Sequence, residues 1–232
     1  MQRIKCRVEE LREYVDTIWH VALTPQQAIS FKPGQYLLVV MSDSDKRPFS
    51  IANSPTRPGV LELQIGATPE NAYAGQVLAR MREQGEIEVE LPAGKAFLRD
   101  ESPRPLILMA GGTGFSYARS ILEYLIDTGS KRPVFFYWGV RQAHWLYELE
   151  QMQQWERDYA PLTFIPVVQE PEADWTGKSG LVHKAIMDDF VSLHDYDIYV
   201  AGRFEMAGAA REEFKILGAE PERIFGDAYE FI

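Results

Sequence analysis

Residues 106–120 read LILMAGGTGFSYARS. Five apolar residues typical of a buried strand lead into three glycines within four positions, and a helix-like pattern follows. Glycine lets the backbone approach a ligand closely, and the N–H groups and dipole at a helix start attract phosphate. The stretch therefore predicts a strand, an anion-binding turn and a helix. Because it has neither the G-x-G-x-x-G spacing nor a P-loop lysine, a plain tight turn remains the alternative.

The chain after this stretch alternates strand and helix patterns. Continuous apolar strands separated by amphipathic helices predict a parallel sheet covered on both faces. The expected strands are 106–110, 133–139, 163–169 and 197–202, and the expected helices are 117–126, 146–159, 182–190 and 205–217.

The chain before this stretch has the pattern of many short strands and one helix, which predicts a small antiparallel β-barrel. The expected strands are 4–8, 17–23, 35–41, 59–66 and 86–91, with a helix over 71–83. The polar, proline-broken segment RDESPRP then has the composition of a linker. We therefore expect two domains, a barrel over 1–98 and an α/β domain with a parallel sheet over 104–232.

Composition excludes several classes of function. The net charge of −10, with no basic patch, argues against a nucleic-acid partner. The single cysteine, Cys6, allows no disulfide within the chain and no cysteine-based metal site, and no metal ligand set is expected. No stretch reaches the length of about 18 apolar residues that a membrane helix needs. A cytoplasmic protein without a membrane partner is predicted.

Two further glycine turns follow strands of the expected parallel sheet. Gly139 precedes Arg141, and Gly202 precedes Arg203. Open α/β sheets bind ligands at the C-terminal ends of their strands, and arginine suits phosphate oxygens. Three such turns at the C-terminal edge of one sheet favour a dinucleotide as the ligand. In the barrel, the stretch KRPFS places a cation, a proline, an aromatic ring and a hydroxyl together, which indicates either a ligand-facing edge or an ordinary edge strand.

These motifs carry a resemblance to a known family. Residues 47–50, RPFS, resemble the flavin signature of the ferredoxin–NADP reductase superfamily, and GGTG resembles its pyridine-nucleotide turn. More narrowly, KRPFS, AGGTGFSYARSIL, YWG, IYVAGRFEMA and FGDA are similar to the bacterial NAD(P)H:flavin oxidoreductases, along essentially the whole chain.

The resemblance implies a role for particular residues. Ser50 would be catalytic, with its hydroxyl near flavin N5, while Pro48 and Phe49 would line the ring. Arg47 would face the polar edge of the ring or the ribityl chain. The implied flavin-binding set is Tyr36, Arg47, Pro48, Phe49, Ser50, Ile65, Gly66 and Tyr73. The implied set for the nicotinamide nucleotide is Gly111, Gly112, Thr113, Gly114, Phe115, Ser116, Gly139, Arg141, Gly202, Arg203 and Met206.

Two departures from the family pattern bear on function. Ala201 stands where many members have cysteine, so no thiol chemistry is expected there. The segment between Gly66 and the helix near Asn71 is too short to cover an adenosine, so the flavin is expected to be a substrate that leaves. The resemblance thus implies hydride transfer from NADH or NADPH to free riboflavin, FMN or FAD, and a downstream enzyme that uses reduced flavin. A flavoprotein with bound FAD serving a ferredoxin, or a silent nucleotide sensor, are the alternatives.

The remaining polar residues are interpreted as structural. The four histidines show no ligand spacing or carboxylate partner, Asp43 and Asp45 are expected to cap a turn, and Glu148 and Glu150 are expected on a solvated helix face. The C-terminal residues Tyr229, Phe231 and Ile232 either pack on a flavin pocket or complete the core. Preferred flavin, coenzyme choice and oligomeric state stay open.

Overall fold

The computed structural model describes all 232 residues, which form two compact units. The first unit comprises Met1–Leu98 with Arg119–Thr128, and the second comprises Arg99–Ala118 with Gly129–Ile232. The boundaries 1–98 and 104–232 stay a prediction. They assign Arg119–Thr128 to the second domain, whereas these residues group with the first unit. None of the helices combines the length and the apolar character needed to cross a membrane.

The first unit is built from six antiparallel strands and one helix. Its strands lie in the order β4-β3-β6-β1-β2-β5. Their bounds are β1 Gln2–Val15, β2 Ile18–Pro25, β3 Tyr36–Ser42, β4 Asp45–Ser50, β5 Leu61–Gly66 and β6 Glu86–Ala93, with helix α1 at Ala72–Gln84.

The edge strands β4 and β5 are joined by the residues that follow β4. The Ala52 amide donates to the Glu62 carbonyl at 2.8 Å, and the Asn53 side chain bonds both the Glu62 amide and the Val60 carbonyl. Because these bonds connect the two ends of the strand order, the sheet curls into a barrel. The predicted antiparallel β-barrel is confirmed.

Helix α1 forms where its apolar spacing predicts. The Asn71 side chain accepts a hydrogen bond from the Ala74 amide at 3.2 Å, and Gly85 ends the helix with φ +66°. Both are the residue types that favour these positions. The residues Ala74, Val77, Leu78 and Met81 are buried against the barrel core.

The second unit is a six-stranded parallel sheet with helices. Its strand order is β10-β9-β8-β7-β11-β12. The strands are β7 Leu106–Gly111, β8 Val134–Val140, β9 Leu162–Val168, β10 Lys178–Ser179, β11 Asp197–Ala201 and β12 Ile224–Phe225. Helix α2, Phe115–Asp127, begins in this unit, and its residues from Arg119 onward belong to the first unit. The other helices are α3 Leu149–Asp158, α4 Val182–Asp189 and α5 Phe204–Ile216. Strands β10 and β12 were not predicted, because two residues carry no readable pattern.

Both faces of the parallel sheet are buried, as predicted. Ile107 and Met109 pack with Ile186 of α4 and Phe214 of α5 in one cluster. On the alternate positions, Leu108 is fully buried too. The strand order reverses between β7 and β11, and open parallel sheets bind ligands at the carboxyl end of such a switch point. The turns after β7 and β11 are therefore the expected ligand-binding positions of this sheet.

Candidate active site

The glycine turn after β7 consists of a single 3-10 turn, Gly112–Gly114, leading directly into α2. Gly112 has φ +55°, and a Cβ added there would meet no atom within 4 Å. The Gly112 carbonyl accepts a hydrogen bond from Nε1 of the buried Trp138 at 3.0 Å. The turn is thus held from one side by the indole, while the Cα of Gly112 faces open space where a ligand can approach.

An aromatic cluster that includes Trp138 packs beside this turn and supports it. Phe115, the first residue of α2, stacks on Trp138 with ring centroids 3.9 Å apart, and Tyr147 meets both rings edge-on. Phe115 has no exposed surface. Phe115 therefore contributes to the expected nucleotide site only indirectly, by positioning the glycine turn.

The other glycines near the switch point are needed for close packing. Ala110 of β7 pairs with Ala201 of β11. A Cβ on Gly114 would overlap the Ala201 carbonyl, and a Cβ on Gly111 would lie 2.6 Å from Sδ of Met206. Gly202, with φ +153°, also lies against Met206. The structure thus brings this part of the predicted nucleotide set together, and within it a Cβ added to Gly112 would point into open space.

The first turn of α5 is a second anion-attracting feature of the second unit. Arg203 occupies the N-cap position without a side-chain capping bond, so the first amides of the 13-residue helix lack that partner. The Arg203 side chain is exposed and makes no ion pair. Free amides and a free guanidinium at one helix start favour a phosphate. Thr113 is half-buried and Ser116 is buried.

The turn after β8 differs from the other two. A Cβ on Gly139 would lie 2.6 Å from Cβ of Val182, so this glycine permits close packing of α4. Arg141 is exposed and pairs with Glu170, Nε to Oε1 at 3.0 Å. The sequence did not predict this acidic partner, because Glu170 lies on the loop after a different strand.

Strand β4 in the first unit presents the predicted flavin residues on two faces. In the β3–β4 register Tyr36 pairs with Ser50 and Leu37 pairs with Phe49. Since side chains alternate along a strand, Pro48 and Ser50 lie on one face with Tyr36. Pro48 is exposed and Ser50 half-buried, and no group of the protein engages the Ser50 hydroxyl. Phe49, on the other face, packs against the barrel core.

Arg47 is held by neighbours within the first unit. Its guanidinium binds both carboxylate oxygens of Asp45 at 2.9 and 2.6 Å, the Tyr73 carbonyl at 2.6 Å and Oε1 of Gln76 at 2.8 Å. It also lies over the Tyr73 ring. The expectation that Asp45 caps a turn is therefore wrong, because its carboxylate is committed to Arg47, which lowers the pKa of Asp45.

The connection between β5 and α1 is short, as predicted. Ile65 is buried in the core and Gly66 ends β5, and α1 begins at Ala72. The Asn71 amide donates to the Thr68 carbonyl at 2.8 Å, and the Ala67 amide to the Thr17 carbonyl at 2.8 Å. Both ends of this five-residue connection are held by these backbone bonds, so it forms a short turn.

A cluster of charged side chains around Glu62 was not predicted. Glu62 lies 3.1 Å from Arg119, 3.0 Å from Arg57 and 4.0 Å from His20, and His20 also contacts Glu10 at 2.6 Å. Burial opposes ionisation of Glu62, but these neighbours lower its pKa to about 2. Burial likewise opposes the charge on His20, yet Glu62 and Glu10 outweigh it and raise the His20 pKa. The sequence spacing did not predict these two carboxylate partners of His20, which is interpreted as a structural residue.

The Glu62 cluster extends to the residues that follow β4. Arg119 donates to the Ala52 carbonyl at 2.8 Å, Ser120 to the Asn53 carbonyl at 2.8 Å, and the Ser54 amide to Glu123 at 2.6 Å. These bonds fix the backbone just beyond Ser50. They also explain why Arg119–Thr128 group with the first unit.

Three smaller expectations are settled by the structure. Asp43 pairs with Arg3 at 3.0 Å instead of capping a turn, and Glu148 is buried instead of solvated, whereas Glu150 is exposed. At the C-terminus, Tyr229 donates to the Ala207 carbonyl at 3.1 Å and the Ile232 carbonyl accepts from Arg211 at 3.2 Å. The C-terminal segment therefore packs on α5.

The fold is similar to that of a ferredoxin NADP⁺ reductase of known structure. A crystal structure of a ferredoxin NADP⁺ reductase from Neisseria gonorrhoeae with bound FAD and NADP superposes with a TM-score of 0.83, covering 97% of this chain and 98% of that chain at 16% identity. Residues 108–212 match the family of oxidoreductase NAD-binding domains.

Two relatives with similar sequences define the family of this chain more narrowly. The chain is 48% identical over 235 residues to an NAD(P)H-flavin reductase of Vibrio harveyi, and 47% identical over 235 residues to one of Aliivibrio fischeri. Each match covers 99% of both chains. The chain belongs to the NAD(P)H-flavin reductase family.

Proposed function

We propose that this protein is an NAD(P)H:flavin oxidoreductase, which transfers a hydride from NADH or NADPH to free riboflavin, FMN or FAD. The observation that carries the proposal is the full-length likeness to two relatives named NAD(P)H-flavin reductase. The geometry of each unit supports it independently.

The second unit provides a site suited to the pyridine nucleotide. Gly112 leaves room for a ligand at the end of β7, and the uncapped start of α5 with Arg203 lies at the end of the neighbouring strand β11. Amides and a cation there suit the pyrophosphate, and the switch point suits a dinucleotide. In this proposal Gly112, Thr113 and Arg203 contact the nucleotide, whereas Gly111, Gly114, Phe115, Gly202 and Met206 shape the turns.

The first unit provides a site suited to the isoalloxazine ring. The Ser50 hydroxyl is free to donate, and it shares a strand face with Pro48 and Tyr36. In this proposal the Ser50 hydroxyl donates to flavin N5 as hydride arrives. Arg47 acts mainly through Tyr73 and Asp45, since most of its donors are already committed. The chemistry comes from the two substrates, and the protein supplies orientation.

The short β5–α1 connection supports a flavin that leaves after reduction. Binding energy must exceed the cost of immobilising the ligand, and contacts to the adenosine half of FAD would add to it. The five residues between β5 and α1 are too few to form such a loop. Reduced flavin would then serve a separate acceptor, such as an oxygenase, a luciferase or ferric iron, in the cytoplasm.

The proposal is tested by NADH and NADPH oxidation assayed with and without added riboflavin. We expect no oxidation without flavin and saturable oxidation with it. Oxidation that needs no added flavin and increases with a ferredoxin would indicate the bound-FAD alternative instead. Nucleotide binding without any turnover would indicate a sensor.

A further inference from the structure

Arg141 and Glu170 form an ion pair at the C-terminal edge of the parallel sheet. Arg141 follows β8 and Glu170 follows β9, and the pair closes at 3.0 Å. Backbone bonds continue between the two loops, from the Gln169 amide to the Val140 carbonyl at 2.9 Å and from the Glu170 amide to the Arg141 carbonyl at 2.8 Å. Strand pairing thus extends past the strand ends and fixes the two side chains beside each other.

This pair lies on the edge that carries the Gly112 turn. Strand β8 is between β7 and β9, and its Gly139 pairs with Gly111. With neighbouring strands about 4.8 Å apart, β9 is roughly 10 Å from β7. A dinucleotide whose pyrophosphate binds at the Gly112 turn can therefore extend its adenosine end over β8 towards β9.

The charges around the pair are unusual for a phosphate site. Both side chains are largely exposed, at 61% for Arg141 and 48% for Glu170. The loop after β9 reads QEPEADWTG over residues 169–177, with three acids and no cation. Exposed ion pairs contribute little to stability, so either member can exchange its partner for a ligand group at little cost.

NADH and NADPH differ only at the 2′ position of the adenosine ribose. A carboxylate accepts hydrogen bonds from a ribose diol and repels a phosphate, whereas a guanidinium binds a phosphate through two donors. Resting on the proposed function, we propose that Arg141 and Glu170 are the coenzyme-selecting pair. Glu170 accepts from the ribose diol of NADH, and the 2′-phosphate of NADPH takes Arg141 away from Glu170.

The pair therefore accepts both coenzymes while Glu170 limits the affinity for NADPH. Removing the charge of Glu170 leaves Arg141 free for the 2′-phosphate, so Glu170→Gln should bind NADP⁺ more tightly relative to NAD⁺. Arg141→Gln should have the opposite effect. Neither change affects the flavin residues of the first unit.

The test measures the dissociation constants of NADP⁺ and NAD⁺ by titration calorimetry, without flavin, on the wild type and three variants. We expect the ratio Kd(NAD⁺)/Kd(NADP⁺) to rise roughly three- to tenfold in Glu170→Gln and to fall roughly tenfold in Arg141→Gln, as for a charge-assisted hydrogen bond. The third variant, Glu212→Gln, makes the same charge change at an exposed acid on α5 that pairs with Lys215 at 2.8 Å. Its ratio should equal that of the wild type.

Three outcomes separate the possible failures. An unchanged ratio in both pair variants, with both nucleotides still bound, would overturn the coenzyme-selecting role and leave the proposed function standing. An equal shift in Glu212→Gln would attribute the effect to net charge and would also overturn it. Absence of any nucleotide binding by the wild type would contradict the proposed function itself.

Discussion

Ser50 combines a free hydroxyl with a fixed backbone. Its partner across the strands is Tyr36, and the chain two residues later is held by the bond from Arg119 to the Ala52 carbonyl. A hydroxyl held in this way loses little freedom when it donates to a ligand. A hydrogen bond that is stronger in the transition state of hydride transfer than in the substrate complex raises kcat more than it improves substrate binding.

We expect Ser50→Ala to lower kcat roughly 3- to 100-fold, because one hydrogen bond contributes about 0.5–3 kcal/mol and about 1.4 kcal/mol is tenfold in rate. Nucleotide binding should persist, since the glycine turns belong to the second unit. Steady-state kinetics on Ser50→Ala and Ser50→Thr, with folding checked by circular dichroism, provide the measurement. A wild-type kcat in folded Ser50→Ala would remove Ser50 from the mechanism.

Gly112 is the position where a side chain should interfere with the nucleotide. A Cβ there meets no protein atom within 4 Å, but a valine side chain would extend into the space proposed for the nucleotide and is strained at φ +55°. We expect Gly112→Val to raise KM for NAD(P)H while leaving the KM for flavin nearly unchanged. Gly129→Val is the matched control, since Gly129 has φ +66° and open space as well. An equal rise in KM in the control would mean that strain alone explains the effect.

Among the elements, the part of α2 that belongs to the first unit is attached to the residues joining β4 and β5, and this attachment depends on buried charges. The Arg119 and Glu62 side chains are only 10% and 14% exposed. Removing one partner of a buried pair costs about 3–5 kcal/mol, because the other charge stays buried. We expect Arg119→Met to lower the free energy of unfolding towards the lower end of that range, since Arg57 still pairs with Glu62. Urea denaturation measures this free energy of unfolding. A loss in Arg119→Met no larger than that in Lys5→Met, which removes an exposed ion pair, would contradict the prediction.

The same cluster predicts a pH dependence. The His20 pKa is raised above its ordinary value of 6.5, because Glu62 and Glu10 outweigh burial. The charged His20 therefore stabilises the fold fully below about pH 6.5, and this contribution is lost as pH rises through the raised pKa. We expect His20→Gln to remove that part of the pH slope, measured by urea unfolding between pH 5 and about 9. Glu9→Gln, on the neighbouring strand β1, should retain the wild-type slope, and a retained slope in His20→Gln would refute the assignment.

The elements themselves were largely predictable, because strand and helix periodicity is local. The apolar positions of α1 and the continuous apolar run of β7 fix their buried faces without reference to distant residues. The clusters were not predictable. Arg119 and Glu62 are 57 residues apart, and Arg141 meets Glu170 only because β8 and β9 pair in a particular register. The RPFS and GGTG motifs located the two candidate sites, but only the structure separates Gly112 from the packing glycines around it.

In the molecule as a whole, the proposed nucleotide site belongs to the second unit and the proposed flavin site to the first. The connection between β5 and α1 has five residues, which is too short to enclose an adenosine. We therefore propose that the flavin is a substrate that departs after reduction. The purified protein should then be nearly colourless after gel filtration.

The most direct measurement is anaerobic turnover with NADH and a large excess of FMN, followed by ultrafiltration of the protein. We expect the filtrate to contain many equivalents of reduced FMN per protein, formed at a rate that saturates with FMN. A single equivalent of reduced flavin that stays with the protein, while the free FMN remains oxidised, would contradict it.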